Sequence, residues 1–408
     1  ALRPDARPVF SEGLASSYEA FLHTRSQRME RKEGRAVTLA TDWDDDKTEV
    51  PESDQLAFWY LDKLQHSIHG RRKHTEAHPK VAATVQKALD LWKMGEKVLI
   101  FCHYLATGDI LHKRVNEALN REIYKMAGQK LKCSAGSAAD ELGKISQRFF
   151  APDSPIRRGT NRAVQAILSD YRPLNNYSER ILRITRRYSR TPSFLARYFP
   201  LNQKKLSEDA VFQALGKKDA SGMSFDQLLR DFFGFLVDHC SEDERDRYLG
   251  ALESVQPGSK VRLANGLTKQ EMRQRLMLTF NTPFYPEILV ASMIMAEGVD
   301  LHLNCRHVIH HDLCWNPSTL EQRTGRIDRI GAKVERCYQS IEVYLPYISK
   351  TQDEKMYRVV MDRERWFKVV MGESYKVDAQ TTEKLASRIP FPESAANELT
   401  FDLSVFVA

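Results

Sequence analysis

The run Lys97-Val-Leu-Ile-Phe-Cys102 constrains this chain more than any other stretch of it. It is short, rich in β-branched and aromatic residues, and lacks the polar alternation of a half-exposed strand, so it reads as a parallel strand covered on both faces. Upstream, Val81, Val85, Ala88, Leu89 and Trp92 follow the spacing of one helix face, and Met94-Gly95 closes that helix. Downstream, apolar residues at 110, 111, 115, 118, 119 and 123 give a second amphipathic helix. A helix, a buried strand and a helix in succession predict a three-layer α/β unit. The second strand of such a unit would follow after a short loop, yet the next strand-like run is Lys260-Val-Arg-Leu-Ala264. Something is inserted between them.

Past the gap the α/β pattern resumes. A capped helix is predicted over residues 268–280, with strands over 288–292, 308–312 and 340–345, giving a doubly wound parallel sheet of about five strands. The expected organisation is a leading helical segment and linker over 1–95, an α/β lobe split into 96–130 and 258–345, a helical insertion over 131–257, and a C-terminal brace helix and tail over 346–408. The leading segment carries an acidic break at residues 42–46 and a basic cluster at 71–74. Within the insertion, Ser224 with Gln227 and Ser241 with Glu244 have capping-box spacing. Phe225, Leu228, Leu229, Phe232, Phe233 and Leu236 form an apolar face, enough for a small subdomain with its own core.

A net charge of +7 over 408 residues does not by itself mark a nucleic-acid binder, but its distribution is uneven. Between Ile156 and Lys205 twelve Lys or Arg stand against two acids. Arg183, Arg186, Arg187 and Arg190 are candidate DNA-binding residues there, interleaved with Tyr177, Tyr188, Phe194, Tyr198 and Phe199. The same pattern fits a solvated helix face whose aromatics serve the core, and a partner-docking role for the insertion is the main rival. The six cysteines are scattered without a CxxC pair, which argues for reduced thiols. No apolar run approaches the roughly 20 residues that span a bilayer, so a cytoplasmic protein without a membrane partner is expected. Cys305, His307, His310, His311 and Cys314 resemble a metal-ligand cluster, but a buried strand through them would send alternate side chains to opposite faces, so no metal is expected.

One helix is predicted to start at Asn316-Pro317 and to carry Glu321-Gln-Arg-Thr-Gly-Arg-Ile-Asp-Arg-Ile-Gly331. On it Gln322, Arg326 and Arg329, spaced four and three apart, would share one face, with Gly325 allowing close approach of facing backbone. Two guanidiniums presented together suit charge on a transferred phosphoryl group, although a solvated basic helix has the same pattern. Upstream, Ala291-Ser-Met-Ile-Met-Ala-Glu-Gly-Val-Asp-Leu301 reads as a strand end, a glycine turn and an acid, Asp300, able to orient an arginine, at the sheet edge where open α/β folds bind ligands.

In order and spacing these segments resemble the C-terminal RecA-like lobe of Swi/Snf-type superfamily 2 enzymes, over residues 80–125 and 258–372. Val98 to Cys102 stands as motif IV, Ser292 to Leu301 as motif V and Gln322 to Arg329 as motif VI; Trp315-Asn-Pro and Arg-Ile-Gly331 match that branch, and the forms are closest to bacterial members. The resemblance implies a second motor lobe of an ATP-dependent double-stranded DNA translocase. Arg326 and Arg329 would reach the ATP γ-phosphate, supported by Gln322, Gly325, Glu297, Gly298 and Asp300, with Ser292 as a DNA contact. Antiphage helicases of the Zorya and DISARM type look similar, which implies a defence-system partner docking on the insertion. No phosphate loop is present: Gly143-Lys144 and Gly216-Lys217 lack the surrounding pattern, and Asp140-Glu141 and Asp243-Glu244 lack the preceding strand of a Mg²⁺-binding acid. With Ala1 at the start, a piece of a longer protein is expected, one that meets ATP and Mg²⁺ through an N-terminal RecA-like lobe and does not hydrolyse ATP alone. A catalytically inert scaffold built on such a lobe is the alternative. No nuclease motif is evident.

Overall fold

The computed structural model describes residues 13–23, 78–202, 206–256, 258–292, 295, 300–314 and 316–370. The acidic run at 42–46, the basic cluster at 71–74, and Glu297, Gly298 and Trp315 lie outside the described residues.

Five parallel strands make one sheet: β1 (Lys97–Phe101), β2 (Val261–Ala264), β3 (Ile288–Ala291), β4 (Cys305–His310) and β5 (Glu342–Tyr344), in the order β2-β3-β1-β4-β5. The chain places β2 and β3 on one side of β1, then crosses to lay β4 and β5 on the other, so the winding reverses at the β1/β4 pair. Strand alternation divides the interior. Val98 and Ile100 join Ile288, Val290 and Ile309 in the larger cluster, whereas Leu99 and Phe101 join Leu289, Ala291 and Val308 in the smaller. Every β1 side chain is buried, which is why its sequence shows no alternation.

Helix α1 (Pro79–Lys93) and the long α2 (Leu105–Leu131) cover the first face. The stretches predicted to face inward do so, with Val81, Ala88, Trp92, Leu111, Val115, Leu119 and Ile123 all buried. The described residues of the insertion form helices joined by turns, with one antiparallel bridge between Lys218 and Ser224: α3 (Ala135–Arg148), α4 (Pro155–Leu168), a 3-10 turn (Arg172–Tyr177), α5 (Ser178–Ser189), α6 (Pro192–Tyr198), α7 (Glu208–Gly216), α8 (Phe225–His239) and α9 (Glu242–Ser254). Ser241 and Glu244 complete a reciprocal capping box on α9, and Ser224 accepts from the Gln227 amide on α8.

The expectation of a separate core for the insertion is corrected. Its Phe149, Phe194, Phe225 and Phe233 belong to the same apolar cluster as Val98 and Ile100 of β1. The join is made by Tyr188, which packs on Phe225, Phe284 and Tyr285, the last two lying just before β3. A buried carboxylate completes it. Glu287 is ion-paired with Arg197 and accepts from Trp92 Nε1 at 2.6 Å, Tyr188 Oη at 3.2 Å and Ser193 Oγ at 3.1 Å. The carboxylate therefore has partners from α1, α5 and α6 at once, which offsets the cost of taking it out of water.

The second face is covered by α10 (Gln270–Phe280), through Leu276 and Phe280, together with Met295, Leu301 and Ile327. Helix α10 starts at Gln270, later than the predicted 268. Thr268 instead closes the turn after β2, where its Oγ1 bonds both the amide and the side chain of Asn265. After β4 come α11 (Pro317–Thr324), α12 (Lys333–Cys337) and, beyond β5, α13 (Gln352–Val370). Asp353 on α13 pairs with Lys80 of α1 at 3.0 Å, both buried, and ties the brace helix to the first one.

Candidate nucleotide-facing site

The arginine segment is not the continuous helix that its spacing predicts. Helix α11 stops at Thr324, and residues 325–331 run as successive turns. The Arg326 amide bonds the Arg323 carbonyl at 3.2 Å and the Ile327 amide bonds the Thr324 carbonyl at 2.9 Å, three residues back. The Arg326 carbonyl, which a continuing helix would use four residues later, instead accepts from the Leu301 amide at 2.8 Å. Ile327 is fully buried in the second-face cluster and draws the chain inward. Gln322 therefore sits on the helix, whereas Arg326 and Arg329 sit on the turns after it. A Cβ on Gly325 would meet the Glu321 carbonyl at 3.2 Å, which belongs to the end of its own helix; among the described residues no facing backbone comes within 4 Å.

Each arginine is nevertheless held. Arg326 Nε donates to the Gln322 carbonyl at 3.0 Å, and Arg329 Nε donates to the Gly325 carbonyl at 3.2 Å. Arg329 Nη1 lies 2.5 Å from Asp300 Oδ1, with the side chains 38% and 52% exposed. Asp300, which the sequence offers as able to orient an arginine, is thus paired with Arg329, still open to solvent. Beside them Ile330 is 95% exposed.

Asp300 owes its position to Asn281, a residue that the sequence reading missed. Asn281 donates through Nδ2 to the Asp300 carbonyl at 2.6 Å and accepts from the Leu303 amide at 3.2 Å. Its own carbonyl accepts from Asn304 Nδ2 at 2.6 Å. Asn281 ends α10 and Asn304 precedes β4, so Asp300 lies toward the edge where the strands begin. This corrects its expected place at the carboxyl ends. The arginine segment accordingly descends along the second face, from Arg323 near the end of β1 to Lys333 at its start.

Arg323 was also overlooked. It is fully buried, donates to the Asp312 carbonyl at 3.0 Å, contacts Cys314 Sγ at 3.3 Å and lies 5.5 Å over the Phe101 ring. The signal was available, because Leu320 and Ile327 define the inward stripe and Arg323 falls between them. His310 stacks on the Phe101 ring, 5.9 Å between centroids, and pairs with Thr324 Oγ1 at 3.1 Å; burial, then the nearby Arg323 charge, push its pKa down to about 3. At the opposite edge, Lys333 Nζ is 2.6 Å from Glu96 Oε2 and 3.8 Å from Asp219 of the insertion. Arg306 also pairs with Glu96 at 2.9 Å. Burial alone would raise the Glu96 carboxyl, but His307 and Lys333 overcome it and hold it well below the usual carboxylate range.

At the carboxyl ends of the strands, His103 donates its amide to Asp312 Oδ2 at 2.7 Å. His311 bridges Thr84 Oγ1 at 2.8 Å and the Ser16 carbonyl at 3.0 Å. Ser292 ends β3 with its hydroxyl buried and without a hydrogen-bond partner among the described residues. Residues of the metal-like run have separate partners, with His307 beside Glu96, His310 on Phe101, His311 against Thr84 and Cys314 against Arg323, and among the described residues no group of three His, Cys, Asp or Glu is placed to hold a metal ion.

Residues 237–331 match the helicase conserved C-terminal domain. The matched stretch runs from the end of α8 through β2, β3, β4 and α11 to the last residue of the arginine turns; β1 and most of the insertion lie outside it. With the strand order above, the fold is a RecA-like doubly wound parallel sheet. An uncharacterized ATP-dependent helicase of Bacillus subtilis (strain 168), YqhH, is 33% identical over 87 residues, which is 21% of this chain and 14% of that protein. The crystal structure of the C-terminal part of the Fun30 ATPase domain is 14% identical, with a TM-score of 0.22, over 74% of this chain and 95% of that one. Among the described residues no helix is long and apolar enough to cross a membrane.

The insertion arginines differ from one another. Arg187 donates to the Glu253 and Val255 carbonyls at 2.7 and 2.6 Å. Arg183 lies 3.5 Å from Glu253, 57% exposed. Arg186 donates to Asn161 Oδ1 at 3.2 Å, and Arg190 lies 4.1 Å over the Phe150 ring. The aromatics interleaved with them face the core: Tyr188, Phe194 and Phe199 are buried, so base stacking by these three is ruled out.

Proposed function

We propose that this chain is the second motor lobe of an ATP-dependent double-stranded DNA translocase of the Swi/Snf-type superfamily 2, acting in the bacterial cytoplasm. The observation that carries this reading is the Arg329–Asp300 pair, a cation presented to solvent on a braced turn within the stretch that matches the helicase domain. ATP and Mg²⁺ would be held by an N-terminal RecA-like lobe bearing a phosphate loop, which this sequence does not contain. Bound there, they supply a phosphoryl group whose transfer builds negative charge on its oxygens. Arg326 and Arg329 would stabilise that charge when the lobes close, since a fixed guanidinium costs little reorganisation at the moment of reaction. Asp300 would orient Arg329 until closure and yield it to the stronger charge of the phosphates, with Gln322 fixing Arg326 through its carbonyl. A place in an antiphage defence system belongs to the same reading.

The test joins this chain to a P-loop lobe and measures DNA-stimulated ATPase activity. Arg329→Ala is expected to lower kcat by about 10³-fold or more, in keeping with arginine-finger losses, while leaving DNA affinity within twofold. Turnover that survives the substitution would refute the assignment. The chain by itself is expected to show no ATPase activity with or without DNA.

A further inference from the structure

The insertion presents an arginine face on which, among the described residues, only Arg183 meets a carboxylate, Glu253 at 3.5 Å. On α5, Arg183, Arg186 and Arg190 are spaced three and four apart and share one side, while Arg180 and Arg187 turn toward α9. Across from them, Arg157 at the start of α4 donates to the Phe150 carbonyl at 2.7 Å. One helical turn further, Asn161 accepts from Arg186. Arg190 lies over the ring of Phe150, which is itself 40% exposed. Arg157, Arg186 and Arg190 therefore meet a carbonyl, an amide and an aromatic ring, all neutral. Their neighbours differ: Arg158 and Arg162 share Glu208 at 3.1 and 3.2 Å, and Arg180 is paired with Asp246 and Glu253.

Gathering like charges without a counter-ion costs free energy. Arg186 registers it, since burial and then the charges of Arg157 and Arg183 depress its pKa despite help from Glu179. Burial and the Arg187 charge act on Arg190 in the same direction. A row of phosphates would relieve that repulsion, and planar guanidiniums suit phosphate oxygens bidentately.

We propose that the face formed by Arg157, Arg183, Arg186 and Arg190 binds the phosphate backbone of a nucleic acid. The surface follows from charge and geometry; that the phosphates are those of duplex DNA rests on the motor-lobe reading. Contacts of this kind position without reading sequence, because the insertion's buried aromatics offer no stacking platform.

The experiment measures binding of a labelled duplex by fluorescence anisotropy across a salt series, using the whole chain. R157Q/R186Q/R190Q is compared with R158Q/R162Q, which removes two surface charges already paired with Glu208. The first variant is expected to bind at least tenfold more weakly at about 0.1 M salt, equally for unrelated sequences, with the log–log salt slope reduced by about 2–3. The control is expected to stay within twofold, and thermal melting checks that both are folded. Unchanged affinity and slope in the triple variant, an equal loss in the control, or no duplex binding by the wild-type chain at low salt overturns the duplex proposal. Arginine-dependent binding confined to single-stranded RNA would keep the phosphate face and remove the duplex-DNA reading. Because no nucleotide is present, the outcome is separate from whether Arg329 serves ATP.

Discussion

Arg323, Arg326 and Arg329 have the same side chain in three environments, and their chemistry follows from depth. Arg323 is a structural cation sealed behind the turn, so Arg323→Ala is expected to destabilise the fold by about 3–5 kcal/mol in urea unfolding, as breaking a buried polar set does. The exposed Arg329–Asp300 pair contributes little to stability, within about 1 kcal/mol. Asp300→Asn should therefore leave unfolding nearly unchanged and act only on turnover in the two-lobe protein. Histidines set the acid limit. Burial, opposed in part by the hydrogen bond to the Leu14 carbonyl, lowers His78 to about 4, and burial with Arg323 lowers His310 to about 3. The unfolded chain takes up these protons near pH 6.5 and the folded one does not, so the stability they contribute is intact above that pH and lost as pH falls toward 4. Each histidine should give a slope of about 1.4 kcal/mol per pH unit in that window, and His310→Leu should flatten the profile measured by denaturation. That Asp300 could orient an arginine was legible from residue type; that the arginine is Arg329 was not. Arg323 was hidden by the habit of placing arginine outside.

The secondary elements were legible where burial is two-sided or strictly periodic. Lys97 to Phe101, the face of α1 and the Ser241–Glu244 cap follow from local pattern, and each is found as read. The end of α11 was not legible, because it is decided by a partner 25 residues upstream, the Leu301 amide that takes the Arg326 carbonyl. The fusion of the insertion to the sheet was invisible for a similar reason, since Glu287 and Arg197 are 90 residues apart. Glu287→Ala would leave Arg197 buried and unpaired. It is expected to cost about 3–5 kcal/mol and to lower the melting of sheet and insertion together. Separate transitions, with the sheet unaffected, would show that the insertion folds as a unit of its own.

At the scale of the whole molecule, the described residues form a RecA-like sheet and a helical insertion that share one apolar cluster on the first face, with a smaller cluster on the second. The arginine turns end where α12 begins, and α12 is fastened in two directions. Lys333 is seated between Glu96 of the lobe and Asp219 of the insertion, and Arg336 is 3.1 Å from Asp231 on α8. Two links of chain separate Ile330 from the first of these anchors. On the motor-lobe reading, α12 would act as a tendon that carries load on the insertion toward Arg329, beside the route through the shared core. Cutting it at Arg336→Ala should leave basal ATPase activity of the two-lobe protein near its starting value and reduce its stimulation by DNA. In such a machine the track under load would set the pace of the chemistry.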